Sequence, residues 1–462
     1  EMAEEQLQEH ILELVFDGLD FYAQVFVNGT LLAECENAFV PATVNVRHAL
    51  RLGMNQLAVR LTAGTERATN PTTGESTAAN IYGNRQAFKG VSELRKPQFS
   101  YGWDWVDALP NIGIWRGVRL VGYSHQRIRD VRTETVLSDG ACLLHVDVDV
   151  ANLHPWAEQT GRLTVSLTAP TGQLVQAVDD LSVPVGITRK HVSFAVDDPH
   201  LWWPNGMGEQ PLYDLNIQVE NATGHLDTWQ RQIGLRTVGI DRSPLPEGRR
   251  FVIQVNGEDV FCRGGNWIPA DAIIARVDAA KIEALIENAR EANLTMLRIW
   301  GGGVYEADAF YEACDRKGIL VWQDFMFACH TYPDDRDDFC HNVRLEAEMA
   351  IRRLRHHACI ALWCGNNENL QGFASWWNKG RSFPAPDMQL GGHRVYSEIL
   401  PEACLALDPS RPYWPGSPAG GDDPLSEIDG DCHWWGPGTM NADISRRYRD
   451  EVYDECRSRF VS

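Results

Sequence analysis

The stretch Ala358-Cys-Ile-Ala-Leu-Trp-Cys-Gly-Asn-Asn-Glu-Asn-Leu-Gln371 decides the fold. Its apolar run, from Cys359 to Trp363, has the length and composition of a strand buried on both faces. The polar residues Asn366, Asn367 and Glu368 follow. A strand that ends in amides and a carboxylate is typical of the catalytic end of an α/β barrel. The same residues are typical of a loop that caps the next helix, and on this stretch alone the capping interpretation is favoured.

Residues 241–462 place this strand in a repeating pattern of apolar strands and helices. Repeated strand–helix units predict a parallel sheet, most simply a (β/α)8 TIM barrel. The predicted helices are Asp278–Ala292, Glu306–Lys317 and Asp335–His356. The predicted strands are Val260–Gly264, Leu294–Trp300, Gly318–Phe325, Cys359–Trp363, Pro412–Gly416 and Gly430–Trp435, and Arg459–Ser462 would begin a seventh. The barrel is therefore expected to be incomplete.

The residues before the barrel predict two β-sandwiches. In residues 1–122, short alternating strands are separated by turns, and Asn28-Gly29 is a strong two-residue hairpin signal. The last strand of this unit is predicted over Gly113–Val121. In residues 123–240 the period of two continues, and about seven strands in this length fit an immunoglobulin-like sandwich without its disulfide. The predicted fold is a multidomain β plus α/β protein.

Composition limits the classes of partner. The 462 residues carry a formal net charge of -21, which disfavours nucleic acid and anionic membranes as partners. The sequence contains no run of eighteen apolar residues, so we expect no transmembrane helix. The 11 cysteines are odd in number and scattered, which predicts reduced thiols and favours a cytoplasmic location. They show no CxxC or His/Cys spacing typical of zinc ligands, so we expect no structural zinc.

Polar and aromatic residues follow the predicted strands throughout the barrel. Each has a structural alternative when taken alone, since Arg298 could be a buried ion-pair partner and Trp300 or Trp435 could be core. Together they predict a pocket for a polyhydroxylated ring, because carboxylates and amides bind hydroxyls and indole faces stack on a sugar. The residues at these strand ends are Asn266, Arg298, Trp300, Asp324, Asn367, Glu368, Ser417, His433 and Trp435.

The same motifs resemble those of β-mannosidases of glycoside hydrolase family 2. The resemblance covers nearly the whole chain and includes long, ordered motifs. They are Gly264-Gly-Asn-Trp-Ile-Pro269, Leu297-Arg-Ile-Trp-Gly-Gly-Gly303, Leu320-Val-Trp-Gln-Asp-Phe325, Leu362-Trp-Cys-Gly-Asn-Asn-Glu-Asn369 and Tyr101-Gly-Trp-Asp-Trp105. The family's domain order is a jelly-roll sandwich related to sugar-binding domains, an immunoglobulin-like sandwich and a TIM barrel. It agrees with the units predicted above.

The resemblance implies a retaining mechanism with two glutamates and without a cofactor or metal. Glu368 matches the general acid/base, and its neighbours are expected to hold its pKa near the working pH. Asn367 matches the residue that binds the sugar 2-hydroxyl. Further matches are expected to line the sugar pocket: Arg298, Trp300, Asp324, Trp376, Trp435 and His433. Asp104 and Trp103 match a loop from the first sandwich that reaches into the site.

This chain also departs from the family pattern. The family's nucleophile is a glutamate at the end of the seventh strand, and the chain ends at Ser462, one residue before that position. Glu451 and Glu455 lie before the strand and cannot replace it. We therefore expect a chain truncated at both ends, with its nucleophile outside the sequence and no activity by itself. Gly102–Pro110 also differs from the family, which usually continues Gly-Pro-Arg after Trp105.

The leading functional hypothesis is an exo-acting retaining β-mannosidase that removes terminal β-linked mannose from the non-reducing end of oligosaccharides. The alternatives are a β-galactosidase or β-glucuronidase of the same family, or a non-catalytic carbohydrate-binding protein. A glucuronidase would need a basic pair for the substrate carboxylate, which the rim does not show. The predicted partner is a β-mannoside oligosaccharide, and the sequence predicts nothing about oligomeric state.

Overall fold

A computed structural model describes residues 1–67, 90–138, 141–154, 156–376, 391–421, 423–433 and 460–461. Within these ranges the chain is a multidomain β and α/β protein, with antiparallel sheets before about residue 260 and a parallel sheet after it. In the described part of the chain, no helix is long and apolar enough to cross a membrane. The ten cysteines in these ranges are free thiols.

The first unit consists of three small antiparallel sheets. Its strands are β1 (Ile11–Phe16), β2 (Leu19–Asp20), β3 (Tyr22–Val27), β4 (Thr30–Cys35), β5 (Ala42–Asn45), β6 (Leu57–Thr62), β7 (Gly113–Ile114) and β8 (Val118–Tyr123). The strand orders in the three sheets are β5-β1-β8, β4-β3-β6 and β2-β7. The hairpin predicted at Asn28-Gly29 joins β3 to β4, and both residues have positive φ, as a tight hairpin turn requires.

The prediction of one strand over Gly113–Val121 is wrong. β7 pairs with β2 and β8 pairs with β1, so the chain changes sheets between them. Trp115 lies at this change, where its backbone N–H binds the Gly18 carbonyl and its indole Nε1 donates to the Ala38 carbonyl. These bonds fix the bend that interrupts the strand.

The second unit has seven strands in two sheets, which agrees with the strand number predicted from the period of two. The strands are β9 (Arg127–Ser138), β10 (Ala141–Asn152), β11 (Gln159–Thr168), β12 (Leu174–Val183), β13 (Gly186–Val196), β14 (Tyr213–Asn221) and β15 (Leu226–Ile233). The sheet orders are β13-β10-β9 and β12-β11-β14-β15. Buried Val, Leu and Ile residues alternate along these strands and form the core between the sheets.

The third unit begins with a small antiparallel sheet and continues as a parallel sheet of five strands in chain order. The small sheet contains β16 (Val238–Asp241), β17 (Val252–Val255) and β18 (Glu258–Asp259). The parallel sheet contains β19 (Gly264–Trp267), β20 (Met296–Ile299), β21 (Leu320–Asp324), β22 (Ile360–Cys364) and β23 (Tyr413–Trp414). The helices are α1 (Ala279–Glu291), α2 (Asp308–Lys317), α3 (Asp337–Leu354), α4 (Asn369–Gln371) and α5 (Leu400–Leu407).

The local sequence explains where these helices begin and end. Asp278 caps α1 by accepting a hydrogen bond from the Lys281 backbone N–H. Gly318 ends α2 with a φ of 73°, which a residue without a side chain adopts at low cost. β20, β21 and β22 are buried at every position, as expected for strands covered on both faces.

The first strand of the parallel sheet was predicted four residues too early, over Val260–Gly264. It begins at Gly264, because the Val260 backbone N–H binds the Ile253 carbonyl of the small sheet instead. A Cβ on Gly264 would lie 1.9 Å from the Met296 carbonyl oxygen, so the close approach of β19 to β20 depends on this glycine.

The predicted sixth and seventh strands fall partly outside the described residues. Within them, Asp431 forms an antiparallel bridge with Ala419, and Cys432 forms a parallel bridge with Val461. Residues 434–459, with Glu451 and Glu455, lie outside the described part of the chain. The described parallel sheet therefore has five strands, and the Cys432–Val461 bridge is separate from them.

Buried ion pairs join the units. Arg95 of the first unit binds both carboxylate oxygens of Glu346 on α3, and both side chains are almost completely buried. Asp130 of the second unit accepts from Arg355, which follows α3. The Phe99 backbone N–H also donates to the Gly302 carbonyl, which places the first unit against the loop after β20.

Candidate functional site

Glu368 lies four residues after the end of β22, at the point where α4 begins. Its φ is 62°, which is uncommon for a residue with a side chain. Its carboxylate makes no capping bond to the helix. Instead, Asn366 Oδ1 accepts from the Asn369 backbone N–H at 3.0 Å. The capping interpretation therefore applies to Asn366 and leaves the Glu368 carboxylate available for another role.

Three side chains hold the buried Glu368 carboxylate. His433 Nδ1 lies 2.7 Å from Oε1, and the Cys329 thiol donates to Oε2 at 3.1 Å. Asn367 Nδ2 lies 3.4 Å from the same Oε2. The backbone is fixed as well, since the Glu368 N–H donates to the Ser417 carbonyl at 2.7 Å.

These neighbours determine the protonation of Glu368. Burial raises its pKa, but the hydrogen bond and charge of His433 lower it, together with the Cys329 thiol and the Arg298 guanidinium. The net result is a pKa below the ordinary glutamate value. The hydrogen bonds from the described neighbours therefore stabilise the charged form of Glu368, and the expectation of a pKa near the working pH stays a prediction.

Arg298, at the end of β20, is the centre of a second cluster of hydrogen bonds. Its Nη2 donates to Asp324 Oδ2 at 2.8 Å and to Asn367 Oδ1 at 2.9 Å, and its Nη1 donates to Asn266 Oδ1 at 2.9 Å. Four strand ends, those of β19 to β22, therefore meet at this guanidinium. Because Asn367 also lies beside Glu368, the two clusters are joined.

The Arg298–Asp324 pair is buried and fully hydrogen-bonded. Asp324 also accepts from the Gly301 backbone N–H and from Trp322 Nε1, both at 3.0 Å. Burial lowers the pKa of Arg298, but the charge and hydrogen bond of Asp324, together with Cys364 and Asp431, raise it above the ordinary arginine value, so the guanidinium stays charged. The pair can present a fixed positive group beside Asn367 without leaving a buried charge uncompensated.

An aromatic group from two units lies beside these clusters. The rings of Trp103 and Trp300 meet edge to face, with 4.7 Å between their centroids, and Trp105 approaches Trp300 at 6.0 Å. Trp103 and Trp300 are buried, whereas Trp105 is 37% exposed. Asp104 lies between the two tryptophans of the loop and is exposed. The structure thus brings the Trp103 loop to the end of β20.

The remaining predicted site residues have different outcomes. His433 was expected to line the sugar pocket and is placed against Glu368, with its Nε2 3.1 Å from Ser417 Oγ. Trp376 ends a π-helical turn over Gly372–Trp376, and its side chain lies outside the described part of the structure. Trp435 falls within the residues that are not described.

Two residues of the site were not predicted, Cys329 and His330. They follow β21 in the segment Phe325-Met-Phe-Ala-Cys-His330, and the Ala328 backbone pairs in parallel with Asn367. The strand-end rule that selected Asp324 would have found them if the search had continued six residues further along the chain. Among the described residues, no group of three or more His, Cys, Asp or Glu side chains could hold a metal ion.

Comparisons with known proteins agree on one family. Residues 1–116 match the glycosyl hydrolase 2 galactose-binding domain-like model, and residues 126–236 match the model of glycosyl hydrolases family 2. The chain is also 35% identical, over 97% of its length, to a protein named beta-mannosidase B from Thermothelomyces thermophilus. The chain belongs to glycoside hydrolase family 2.

Other similar proteins extend the comparison. A beta-mannosidase B from Emericella nidulans is 32% identical over 97% of the chain. The crystal structure of a beta-D-mannosidase from Dictyoglomus thermophilum superposes over 100% of the chain, with a TM-score of 0.90 and 34% identity. A Bacteroides uniformis beta-glucuronidase, at a TM-score of 0.65 and 18% identity, shares the fold over 89% of the chain. The chain spans about half the length of these relatives: 52% and 53% of the two curated proteins, and 55% and 45% of the two structures.

Proposed function

We propose that the protein is a retaining exo-β-mannosidase that removes terminal β-linked mannose from the non-reducing end of oligosaccharides. The observation that carries this proposal is the position of Glu368. Its carboxylate is buried at a strand end, makes no capping bond, and is joined through Asn367 to the charged Arg298–Asp324 pair. A carboxylate beside fixed hydrogen-bonding groups is what glycoside hydrolysis requires.

In this proposal Glu368 is the general acid/base. It donates a proton to the glycosidic oxygen as that bond breaks, and in the second step it takes a proton from the attacking water. Asn367 binds the sugar 2-hydroxyl, and its position is set by the hydrogen bond from Arg298. The other residues proposed to surround the sugar are Trp103, Asp104, Trp300, Asp324, Trp376, His433 and Trp435.

A second glutamate, the nucleophile, is proposed to lie outside the 462 residues. In retaining enzymes the two carboxyl groups are about 5–5.5 Å apart. A negative charge at that distance would raise the pKa of Glu368 and help it to hold its proton for the first step. Once the nucleophile is bonded to the sugar, this charge is lost. The described neighbours, which lower the pKa of Glu368, would then favour its ionised form, which acts as the base.

The architecture belongs to the same proposal. We infer three units, a jelly-roll sandwich over residues 1–122, an immunoglobulin-like sandwich over 123–240 and a catalytic domain over 241–462. The five parallel strands would be the first strands of a (β/α)8 barrel. In this arrangement Arg298, Asp324 and Asn367 belong to the carboxyl ends of successive strands, which accounts for their meeting at one rim.

The test compares hydrolysis of aryl β-mannoside, β-galactoside and β-glucuronide by the natural protein that carries this chain. We expect the mannoside to be hydrolysed fastest, and a mannoside rate below either of the others would refute the mannosidase assignment. Binding of mannose without turnover of any of the three glycosides would instead indicate a carbohydrate-binding protein.

A further inference from the structure

His330 lies directly beside the proposed acid/base. Residues 328–330 run parallel to residues 367–369, with a backbone hydrogen bond from the Cys329 N–H to the Asn367 carbonyl at 2.9 Å. The next residue pair continues this alignment, since the His330 backbone N–H donates to Asn369 Oδ1 at 3.0 Å. His330 is therefore fixed next to the residue that follows Glu368.

The hydrogen bonds of the imidazole define its tautomer. Nδ1 lies 2.6 Å from the Ala328 carbonyl oxygen, which can only accept, so Nδ1 carries the proton. The neutral ring then has a lone pair on Nε2. Burial lowers the pKa of His330 to about 4, although the bond to Ala328 opposes this, so the ring is neutral near pH 7.

Nε2 is a buried acceptor that has no hydrogen-bond partner in the described structure. His330 as a whole is 1% exposed. Leaving such a group unsatisfied costs stability, and unsatisfied buried groups in native proteins are uncommon. An apolar residue would fill the same space without this cost. Gln371, three residues after Glu368, also has a buried oxygen without a partner.

The position of His330 indicates which part of a substrate could reach it. Its hydrogen bonds involve Ala328 and Asn369, and none joins it to Arg298 or Asp324 within the described ranges. Its ring lies near Trp103, with 6.2 Å between the centroids. Arg298 binds Asn367, which precedes Glu368, whereas His330 binds Asn369, which follows it. His330 is thus beside the proton donor and on the other side of it from Arg298, with Trp103 near both regions. Because the proton donor acts on the oxygen between two sugars, a group on that side can meet the sugar that leaves.

We propose that His330 Nε2 accepts a hydrogen bond from a hydroxyl of the leaving sugar and so determines specificity for a saccharide over an aromatic leaving group. This inference rests on the proposed mannosidase function. Because Nε2 is shielded from water, the hydroxyl can reach it only if a neighbouring side chain moves. Trp103 of the first unit lies close to the His330 ring and is the candidate for this movement. The bond then satisfies a polar group that is otherwise unpaired.

The experiment compares β-1,4-mannobiose with 4-nitrophenyl β-mannoside, which has no sugar hydroxyl in its leaving group. His330→Phe removes the acceptor, His330→Gln keeps one, and His341→Phe changes an exposed histidine of α3 as the control. We expect His330→Phe to lower kcat/KM on mannobiose by about 10- to 100-fold, mainly through a higher KM. On the aryl substrate the loss of kcat/KM should be several-fold smaller. We expect His330→Gln to recover most of the mannobiose activity.

Equal losses on both substrates, or no loss on mannobiose, would overturn the inference. If wild-type protein hydrolyses no mannoside, the proposed function fails, and calorimetric binding of mannobiose then tests His330 separately. Weaker binding by His330→Phe, with recovery in His330→Gln, would still assign the acceptor to a saccharide site. Unchanged binding would remove that assignment as well.

Discussion

The Cys329 sulfur lies 3.1 Å from Glu368 Oε2, and both residues have left-handed backbones, with φ of 50° and 62°. Such a conformation costs about 1 kcal/mol or more for a residue with a side chain. Two hydrogen bonds compensate, from Cys329 N–H to the Asn367 carbonyl and from Glu368 N–H to the Ser417 carbonyl. The thiol and the carboxylate are therefore held together by backbone geometry as well as by their own contact.

Replacing Glu368 by alanine tests its role as proton donor. Glu368→Ala should lower kcat/KM on β-1,4-mannobiose by about 10²- to 10⁴-fold, the usual contribution of general acid catalysis. The loss should be much smaller for aryl mannosides with good leaving groups, whose departure needs no proton. Steady-state rates on both substrates measure the difference. Similar losses on both would contradict the acid role.

Replacing His433 tests the electrostatic control of Glu368. His433→Ala removes the hydrogen bond and charge that lower the pKa of Glu368, so this pKa should rise. The protonated acid then persists to higher pH, and the alkaline limb of the kcat/KM profile should move to higher pH. The pH profile on mannobiose measures this shift, with His341→Ala as the control. A limb that stays in place would exclude His433 as the group that sets this pKa.

The buried Arg95–Glu346 pair should contribute strongly to stability. Glu346→Gln leaves the Arg95 charge buried without a carboxylate, which should lower the free energy of unfolding by about 3–5 kcal/mol. The matched control is Glu283→Gln, which breaks a solvent-exposed pair with Arg316 and should cost less than about 1 kcal/mol. Urea unfolding of both variants measures the contrast. Equal costs would show that the buried pair is dispensable.

Histidine 330 should make stability depend on pH. Its pKa is lowered from 6.5 to about 4 in the folded state, so the folded form binds fewer protons than the unfolded form. The contribution is therefore complete above about pH 6.5 and is lost as the pH falls towards 4, to a total of about 3 kcal/mol. His330→Leu should flatten the stability curve in this interval. A curve identical to that of the wild-type protein would show that His330 is not buried in its neutral form.

The sequence predicts those parts of the site that depend on a regular repeat. Arg298 and Asp324 lie at the ends of apolar strands and Asn367 follows a third, so the rule that strand ends share one edge brings the three together. It could not predict the hydrogen bond between His433 and Glu368, because that contact depends on side-chain rotamers 65 residues apart.

Two errors in the fold also have a physical origin. The bend at Trp115 depends on hydrogen bonds to Gly18 and Ala38, which lie far away in sequence. Val260 looks like the start of a strand by its apolar neighbours, but its backbone N–H is already taken by Ile253. In both cases tertiary hydrogen bonds override a correct local pattern.

The contact between Trp103 and Trp300 forms only when two separate parts of the chain come together. If the polypeptide were cut between these residues, the contact would form only at concentrations above the dissociation constant of the two pieces. The intervening chain converts that step into an intramolecular one with a high effective concentration. Association of the two separate pieces on mixing would then report how tightly the first unit and the parallel sheet bind each other.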